Sequence, residues 1–482
     1  MGRVESLDQE LGIEAIWRHG GCPMESSYQN FISDSLVQHL FDQYRRYGGP
    51  ITVNFRKLVE CFPSAERATH LIHPYPAKLL MHIPFFFLSN SILSKPGDVV
   101  LDPFAGSGTV LLETILAGRT ALGAECNPLG RLISKVKTTP LDCVKVKKLT
   151  AELVNSISTK PVEPVPEVIN IEHWYYPKIV TQLQCILEAI NKIGDPDIRD
   201  FFMVCFSNCA RKVSLADPRL STPVRLKKDL YPTGHPLKLR AEQHLSDIVK
   251  SPVIDVFRLI VAANLRRIEH ILYLGLNKMP ASVISSDARR LYYQHTNGVR
   301  FGQELPDQSV QLIITSPPYP GAQKYIRCSS LSMGWLGMCK ASELRPLKTQ
   351  TIGREEYRKS ECLELVHTAI DEADHILAEI WNENPVRATI AGTYLNEMRL
   401  AFREMYRVLR AQGYLVLVAA NNHVCKREFR TLHYLRLLAE ETGFFLILDL
   451  IDHIRSRGLM TKRNHTANII TREGVLVFRK GD

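Results

Sequence analysis

The residues best suited to chemistry sit in one short stretch, Ile313-Ile314-Thr315-Ser316-Pro317-Pro318-Tyr319. The apolar run Val310 to Ile314 reads as a buried strand, and it stops at two prolines. Neither proline can donate to a sheet, and each pushes the residue before it into an extended conformation. The result is a stiff turn at a strand's carboxyl end, where open α/β sheets place their ligands. Ser316 would offer a hydroxyl, the prolines rigid carbonyls and Tyr319 an exposed ring, a set that suits a flat, amine-bearing ligand such as a nucleobase. A turn with a packed tyrosine is the plainer reading of the same residues.

A second stretch has the same strand-then-turn form. Val99 to Leu101 reads as a strand, Asp102-Pro103-Phe104-Ala105-Gly106-Ser107-Gly108-Thr109 as a loop, and Val110 to Ala117 as a helix. Glycines between strand and helix let the backbone approach a ligand closely. The spacing separates the ligand classes that use this device. A phosphate-binding P-loop needs Gly-Lys-Ser/Thr, and the dinucleotide fingerprint needs a third glycine where Leu111 stands. Asp102 at the strand tip suits a cationic or amine-bearing group better than a pyrophosphate. The next strand, Thr120 to Ala124, delivers Glu125, a carboxylate placed to accept from both hydroxyls of a ribose; it could also simply cap the following helix. A third strand, Ala281 to Asp287, brings Asp287 near its tip.

Around these strands the chain must supply more than one core, because 482 residues exceed the size at which a single core usually stops growing. Residues 1–70 are mixed, with a basic, aromatic patch from Phe41 to Lys57 that reads as a solvated amphipathic face or a nucleic-acid contact. Residues 71–140 form the first half of an α/β core, and 141–280 interrupt it as a mainly helical, basic insertion. Residues 281–482 resume the core, with a helical segment at 322–395. In the insertion a proline-rich linker at Lys160 to Pro166 precedes a long helix, Lys178 to Lys212, and a polar loop, Ser214 to Arg240. A further helix spans Ile254 to Leu276. Glu397 to Leu409 reads as a helix, Gly413 to Ala419 as a buried strand, and Phe444 to Ile451 with Val475 to Phe478 as an antiparallel pair at the sheet edge.

Composition narrows the function classes. Hydrophobic residues at 45% and charged residues at 23% are ordinary for a soluble globular protein. The excess of 60 Lys+Arg over 50 Asp+Glu gives +10, which favours a polyanionic partner. Eleven cysteines lie scattered without zinc spacing, so no metal site is expected; Cys205 and Cys209 share a helical face but lack ligand partners. The longest apolar stretch, Leu79 to Leu93, is too short for a bilayer and is broken by His82 and Pro84. The expectation is a cytoplasmic protein with reduced thiols.

These motifs resemble those of the S-adenosylmethionine-dependent DNA amino-methyltransferases, which modify the exocyclic nitrogen of cytosine or adenine. Asp102 to Thr109 is similar to the family's cofactor loop, Ser316-Pro317-Pro318-Tyr319 to its catalytic motif, and His73-Pro74-Tyr75-Pro76-Ala77-Lys78-Leu79 to the segment that covers the cofactor's methionine end. The resemblance spans roughly 70–140 and 281–480. It implies a Rossmann-like class I methyltransferase sheet, α/β and mostly parallel with an antiparallel edge strand. It implies cofactor contacts at His73, Ala77, Asp102, Phe104, Gly106, Gly108, Thr109, Glu125, Asn127 and Asp287. Ser316, Pro317, Pro318 and Tyr319 would form the catalytic side. The implied cofactor is S-adenosyl-L-methionine, the partner double-stranded DNA, and a cognate restriction endonuclease an accompanying partner.

Serine at the first position of the tetrapeptide is more typical of cytosine N4 enzymes, with adenine N6 as the alternative. Carbon-5 methylation would need a cysteine nucleophile, which that family carries after a proline, and no cysteine here follows one. An RNA methyltransferase and a catalytically silent DNA-binding relative are the competing classes. Arg225, Lys227, Lys228, Arg455 and Arg457 are the expected DNA contacts.

Overall fold

The computed structural model describes residues 34–59, 67–158, 166–275, 279–294, 300–321, 324–354, 356–453 and 471–481. Arg455 and Arg457, and most of the proline-rich linker, lie outside these residues.

Strand patterning dictates the centre of the molecule. In β2 (Val99–Asp102) and, apart from Gln311, in β5 (Val310–Thr315), apolar residues follow one another instead of alternating with polar ones, the signature of strands covered on both faces. Leu101 and Ile313 enter one core with α13 (Pro385–Val408) and α14 (Thr431–Thr442). Val100, Leu312 and Ile314 enter the opposite core, with Phe85, Phe86 and Phe87 of α2 (His82–Leu88) and Val37 and Leu40 of α1 (Asp34–Tyr47). The Phe41 to Lys57 patch is thus amphipathic: Phe41 and Phe55 are buried, while Arg45 and Arg46 face solvent.

The remaining strands are β1 (Ile51–Val53), β3 (Thr120–Ala124), β4 (Ala281–Ser285), β6 (Leu409–Ala419), β9 (Phe444–His453) and β10 (Arg472–Lys480), and the sheet order is β1-β9-β10-β6-β5-β2-β3-β4. Strands β2 to β6 are mutually parallel, and β10 is antiparallel to both β6 and β9. This is a Rossmann-like α/β sheet, mostly parallel with one antiparallel strand, as the resemblance implies. The antiparallel pair is present, but β10 lies inside the sheet and β9 is not outermost. β1 pairs in parallel with β9 through Ile51 and Leu450, covering an edge that would otherwise expose unpaired backbone groups. A two-stranded ribbon, β7 (Asn422–Val424) and β8 (Arg427–Phe429), stands apart.

From β2 the chain moves outward through β3 to β4, then returns to β5 on the other side of β2. The topological switch point therefore falls between β2 and β5, and a crevice opens at their carboxyl ends. Two helices flank it: α3 (Thr109–Leu116) after β2 and α4 (Pro128–Thr138) after β3.

The insertion contributes α5 (Cys143–Ser156), α6 (Pro177–Asn191), α7 (Pro196–Lys212), α8 (Pro236–Lys250) and α9 (Val253–Tyr273). The single helix expected over 178–212 is two. Asp195 caps α7 by accepting from the Asp197 and Ile198 amides, and Pro196 takes the first helical position, where its missing N–H costs nothing. The end of the expected polar loop, from Pro236, is already helical. Ile326, Leu331, Met333 and Trp335 of α10 (Tyr325–Trp335) share one core with Phe201, Phe202 and Phe206 of α7 and Phe257 of α9. The insertion is therefore packed onto the helix that follows the Ser-Pro-Pro-Tyr turn. Among the described residues, no helix is long and apolar enough to cross a membrane.

Candidate functional site

The crevice contains a cavity of about 860 Å³, part of it open to solvent, within the range of small-molecule sites. Strand tips bring three carboxyl groups to it: Asp102 from β2, Glu125 from β3 and Asp287 from β4. Ser316 and Pro318, beyond β5, line the same cavity, as do Ala77, Phe104, Gly106 and Thr109.

A hydrogen bond joins the two motifs. Thr315 Oγ1 donates to Asp102 Oδ1 at 2.6 Å, and the Phe104 amide donates to the same oxygen at 3.0 Å. Burial pushes the Asp102 carboxyl up to about 7, against the opposing effect of those two bonds. Glu125 ties the glycine loop to the second strand. Its Oε2 accepts from the Gly106 amide at 2.7 Å and its Oε1 from the Asn127 amide at 2.8 Å. Each oxygen keeps acceptor capacity for a further donor. Burial pushes this carboxyl up to about 7 as well.

The loop's backbone explains its glycines. Gly106 and Gly108 have φ of +53° and +75°. A Cβ on Gly108 would lie 2.9 Å from Ser134 Oγ of α4, so only glycine lets the loop seat there.

Other expected site residues stand behind the cavity wall. His73 is buried; its Nδ1 faces the Pro74 carbonyl at 2.6 Å and its Nε2 lies 2.9 Å from Ser207 Oγ of α7. Burial lowers the imidazole to about 3, so the ring is neutral and pins its segment to the insertion. Asn127 caps α4 through the Leu129 amide and donates to Tyr75 Oη at 3.1 Å and Ser329 Oγ at 2.9 Å. Gly108 and Pro317 also lie outside the lining.

Tyr319 requires a correction. Its ring was expected to be exposed, but it is only 8% exposed and belongs to the main core with Ile352 and Tyr394. An aromatic side chain after a rigid turn gains more from burial than from solvent contact, so the packed-tyrosine reading of that ring is the correct one. The tyrosines that line the cavity are Tyr75 and Tyr325. No motif marks Tyr325 in the sequence, although it follows Tyr319 by six positions at a helix start. Nor does a motif mark Thr315 or the segment Gln350 to Ile352, which closes one wall. Only the polar character of Thr315 at the end of an apolar strand could have singled it out.

The one cysteine lining the cavity, Cys126, is pushed up to about 12 by burial and by Glu125, and so is a poor nucleophile. Cys205 and Cys209 are likewise buried and pushed to about 12. In the basic loop, Lys227 and Lys228 are exposed, whereas the Arg225 guanidinium is committed to the His173 carbonyl. Thr222 Oγ1 of that loop contacts Cys328 Sγ of α10 at 3.3 Å.

The raised carboxyls predict a pH effect on the ligand-free protein. Groups whose folded pKa exceeds the unfolded value stabilise fully below the unfolded pKa, near 4, and lose that contribution as pH rises through about 7. Asp102→Asn should therefore raise the melting temperature at pH 8 relative to wild type and narrow the difference at pH 5. An equal offset at both pH values, followed by thermal melts, would contradict this.

The donor set fits S-adenosyl-L-methionine. Carboxyl groups at three strand tips match a ligand with an ammonium, a ribose diol and an exocyclic amine, and the glycine loop leaves room for its backbone approach. Known proteins resemble the chain as follows. A family model described as DNA methylase matches residues 87–129. The type II methyltransferase M.MvaI of Kocuria varians is 24% identical over 80% of this chain and 84% of its own. M.MjaII of Methanocaldococcus jannaschii is 35% identical over 19% of this chain and 17% of its own. Among solved structures, a SAM-dependent methyltransferase of Methanosarcina mazei aligns over 81% of this chain and 95% of its own, with 10% identity and a TM-score of 0.27. The chain is therefore similar to the DNA methylases over its first strand-loop-helix unit, and to a type II DNA-modifying methyltransferase along most of its length.

Proposed function

We propose that this enzyme methylates the exocyclic N4 amine of cytosine in a base flipped out of duplex DNA. The observation that carries the reading is the Thr315–Asp102 hydrogen bond of 2.6 Å, which locks the Ser-Pro-Pro turn beside the carboxyl-lined cavity. Serine at position 316 supports cytosine over adenine.

S-Adenosylmethionine supplies an electrophilic methyl group on sulfur. The chain's own residues address the other partner, an aromatic amine whose lone pair is delocalised into its ring. Ser316 Oγ, on the cavity wall, accepts an amine hydrogen and favours a more tetrahedral nitrogen. Asp102 and Glu125 orient the cofactor's ammonium and ribose, so that positioning supplies much of the rate. With the amine held at Ser316, the cofactor would supply its methyl group to the nitrogen and leave as a thioether, and the nitrogen's surplus proton would pass to solvent. No thiolate is required, in keeping with the inert Cys126. Tyr325, on the cavity wall, offers the flipped base a ring; stacking of this kind contributes about 1–3 kcal/mol. Extrusion itself is required because a stacked base cannot reach such a pocket.

Lys227 and Lys228 support phosphate contact from the insertion, and binding should weaken steeply with salt. A paired restriction endonuclease, which the sequence resemblance implies, is the further partner proposed. The test of the base assignment is incubation with methyl-deuterated cofactor and unmodified DNA, then nucleoside mass spectrometry. N4-methylcytosine is expected; N6-methyladenine alone would overturn the assignment.

A further inference from the structure

Arg289, two residues past Asp287, makes an unusually complete set of bonds. Its Nε lies 2.8 Å from Asp287 Oδ1 and its Nη2 lies 2.9 Å from Asp287 Oδ2. Its Nη1 donates to Glu397 Oε1 of α13 at 2.9 Å, and its Nη2 also donates to the Gln350 carbonyl at 3.0 Å. Glu397 Oε2 in turn accepts from the Gly353 amide at 3.3 Å. The segment between these two anchors forms cavity wall through Gln350, Thr351 and Ile352. Thr351 Oγ1 lies 3.6 Å from Cys126 Sγ, beside Glu125. At the other end, Gly353 has φ +72°, and a Cβ there would sit 3.5 Å from the Tyr319 carbonyl and 3.3 Å from the Tyr394 ring.

One four-residue stretch thus touches the cofactor side through its walls and the Ser-Pro-Pro-Tyr turn through Gly353. It is fixed by an arginine fork and a glutamate that themselves lie outside the cavity lining. We propose that Arg289 and Glu397 are positioning residues, and that through Gln350–Gly353 they couple cofactor binding to the acceptor side. The proposal rests on the reading of Ser316–Tyr319 as the acceptor turn. A planar fork holding two carboxylates and a carbonyl fixes geometry in a way that a lysine cannot. Sites coupled through such an element should show reciprocal effects on each other's affinity.

The test is calorimetric titration of S-adenosylhomocysteine, which cannot react, with and without unmodified duplex DNA. Wild type is expected to bind it at least roughly fivefold more tightly when DNA is saturating, the lower end of ordinary coupling. Glu397→Ala should weaken binding without DNA by about tenfold, near 1.4 kcal/mol, and reduce the DNA effect below about twofold. Glu397→Gln, which keeps an acceptor for the Gly353 amide, should recover part of both; Arg289→Lys should lose the coupling. If the alanine variant does not fold, these two conservative variants carry the test. Affinity and coupling both unchanged within about twofold, with only the melting temperature lowered, would show a merely structural pair and overturn the proposal. Absence of any DNA effect in wild type would also overturn it. The reading of the turn fails separately, if Ser316→Ala methylates DNA at the wild-type rate.

Discussion

Glu125→Ala is expected to weaken S-adenosylmethionine binding by at least roughly 100-fold, about 2.7 kcal/mol. Two losses combine. The amides of Gly106 and Asn127, now bonded to Glu125 at 2.7 and 2.8 Å, are left without that acceptor, at about 1–3 kcal/mol for each donor that stays unsatisfied. The proposed ribose contact disappears as well. Glu125→Gln keeps a carbonyl acceptor and a similar shape, so roughly tenfold is expected. Equilibrium titration checks both. Affinity within about threefold of wild type for the alanine variant would remove Glu125 from the cofactor site.

Ser316→Ala is expected to lower kcat by roughly 100-fold, the scale seen when one preorganised polar group at a reacting centre is removed. Cofactor affinity should stay within about threefold, because the Thr315–Asp102 bond and the Glu125 contacts lie outside the change. Steady-state kinetics and titration together separate the two. An affinity loss as large as the loss in kcat would show that the donor and acceptor sides are not divided at this residue. Tyr319→Ala is a poorer probe, because truncating a buried aromatic ring typically destabilises a fold by about 3–5 kcal/mol.

Local chemistry was legible in the sequence, and long-range packing was not. The glycine loop announces itself because strand, glycines and helix are consecutive, and its glycines sit at φ values that side chains rarely adopt. The β9–β10 pair was readable from apolar runs, but not that β1 would cover its edge, since that pairing joins residues 51 and 450. Tyr319 misled because burial depends on Ile352 and Tyr394, both distant in sequence. Gln350–Ile352 carries no motif at all, and its anchors at Arg289 and Glu397 are distant in sequence. The break at Gly194-Asp195-Pro196 was visible as a cap signal and was overlooked beneath continuous apolar periodicity.

Transfer of a tritiated methyl group from S-adenosylmethionine, offered side by side to unmodified DNA and to RNA, tests the central claim most directly. The account predicts label in DNA with wild-type protein and roughly 100-fold slower labelling with Ser316→Ala. Label confined to RNA, or DNA labelled at an undiminished rate by the variant, would contradict it.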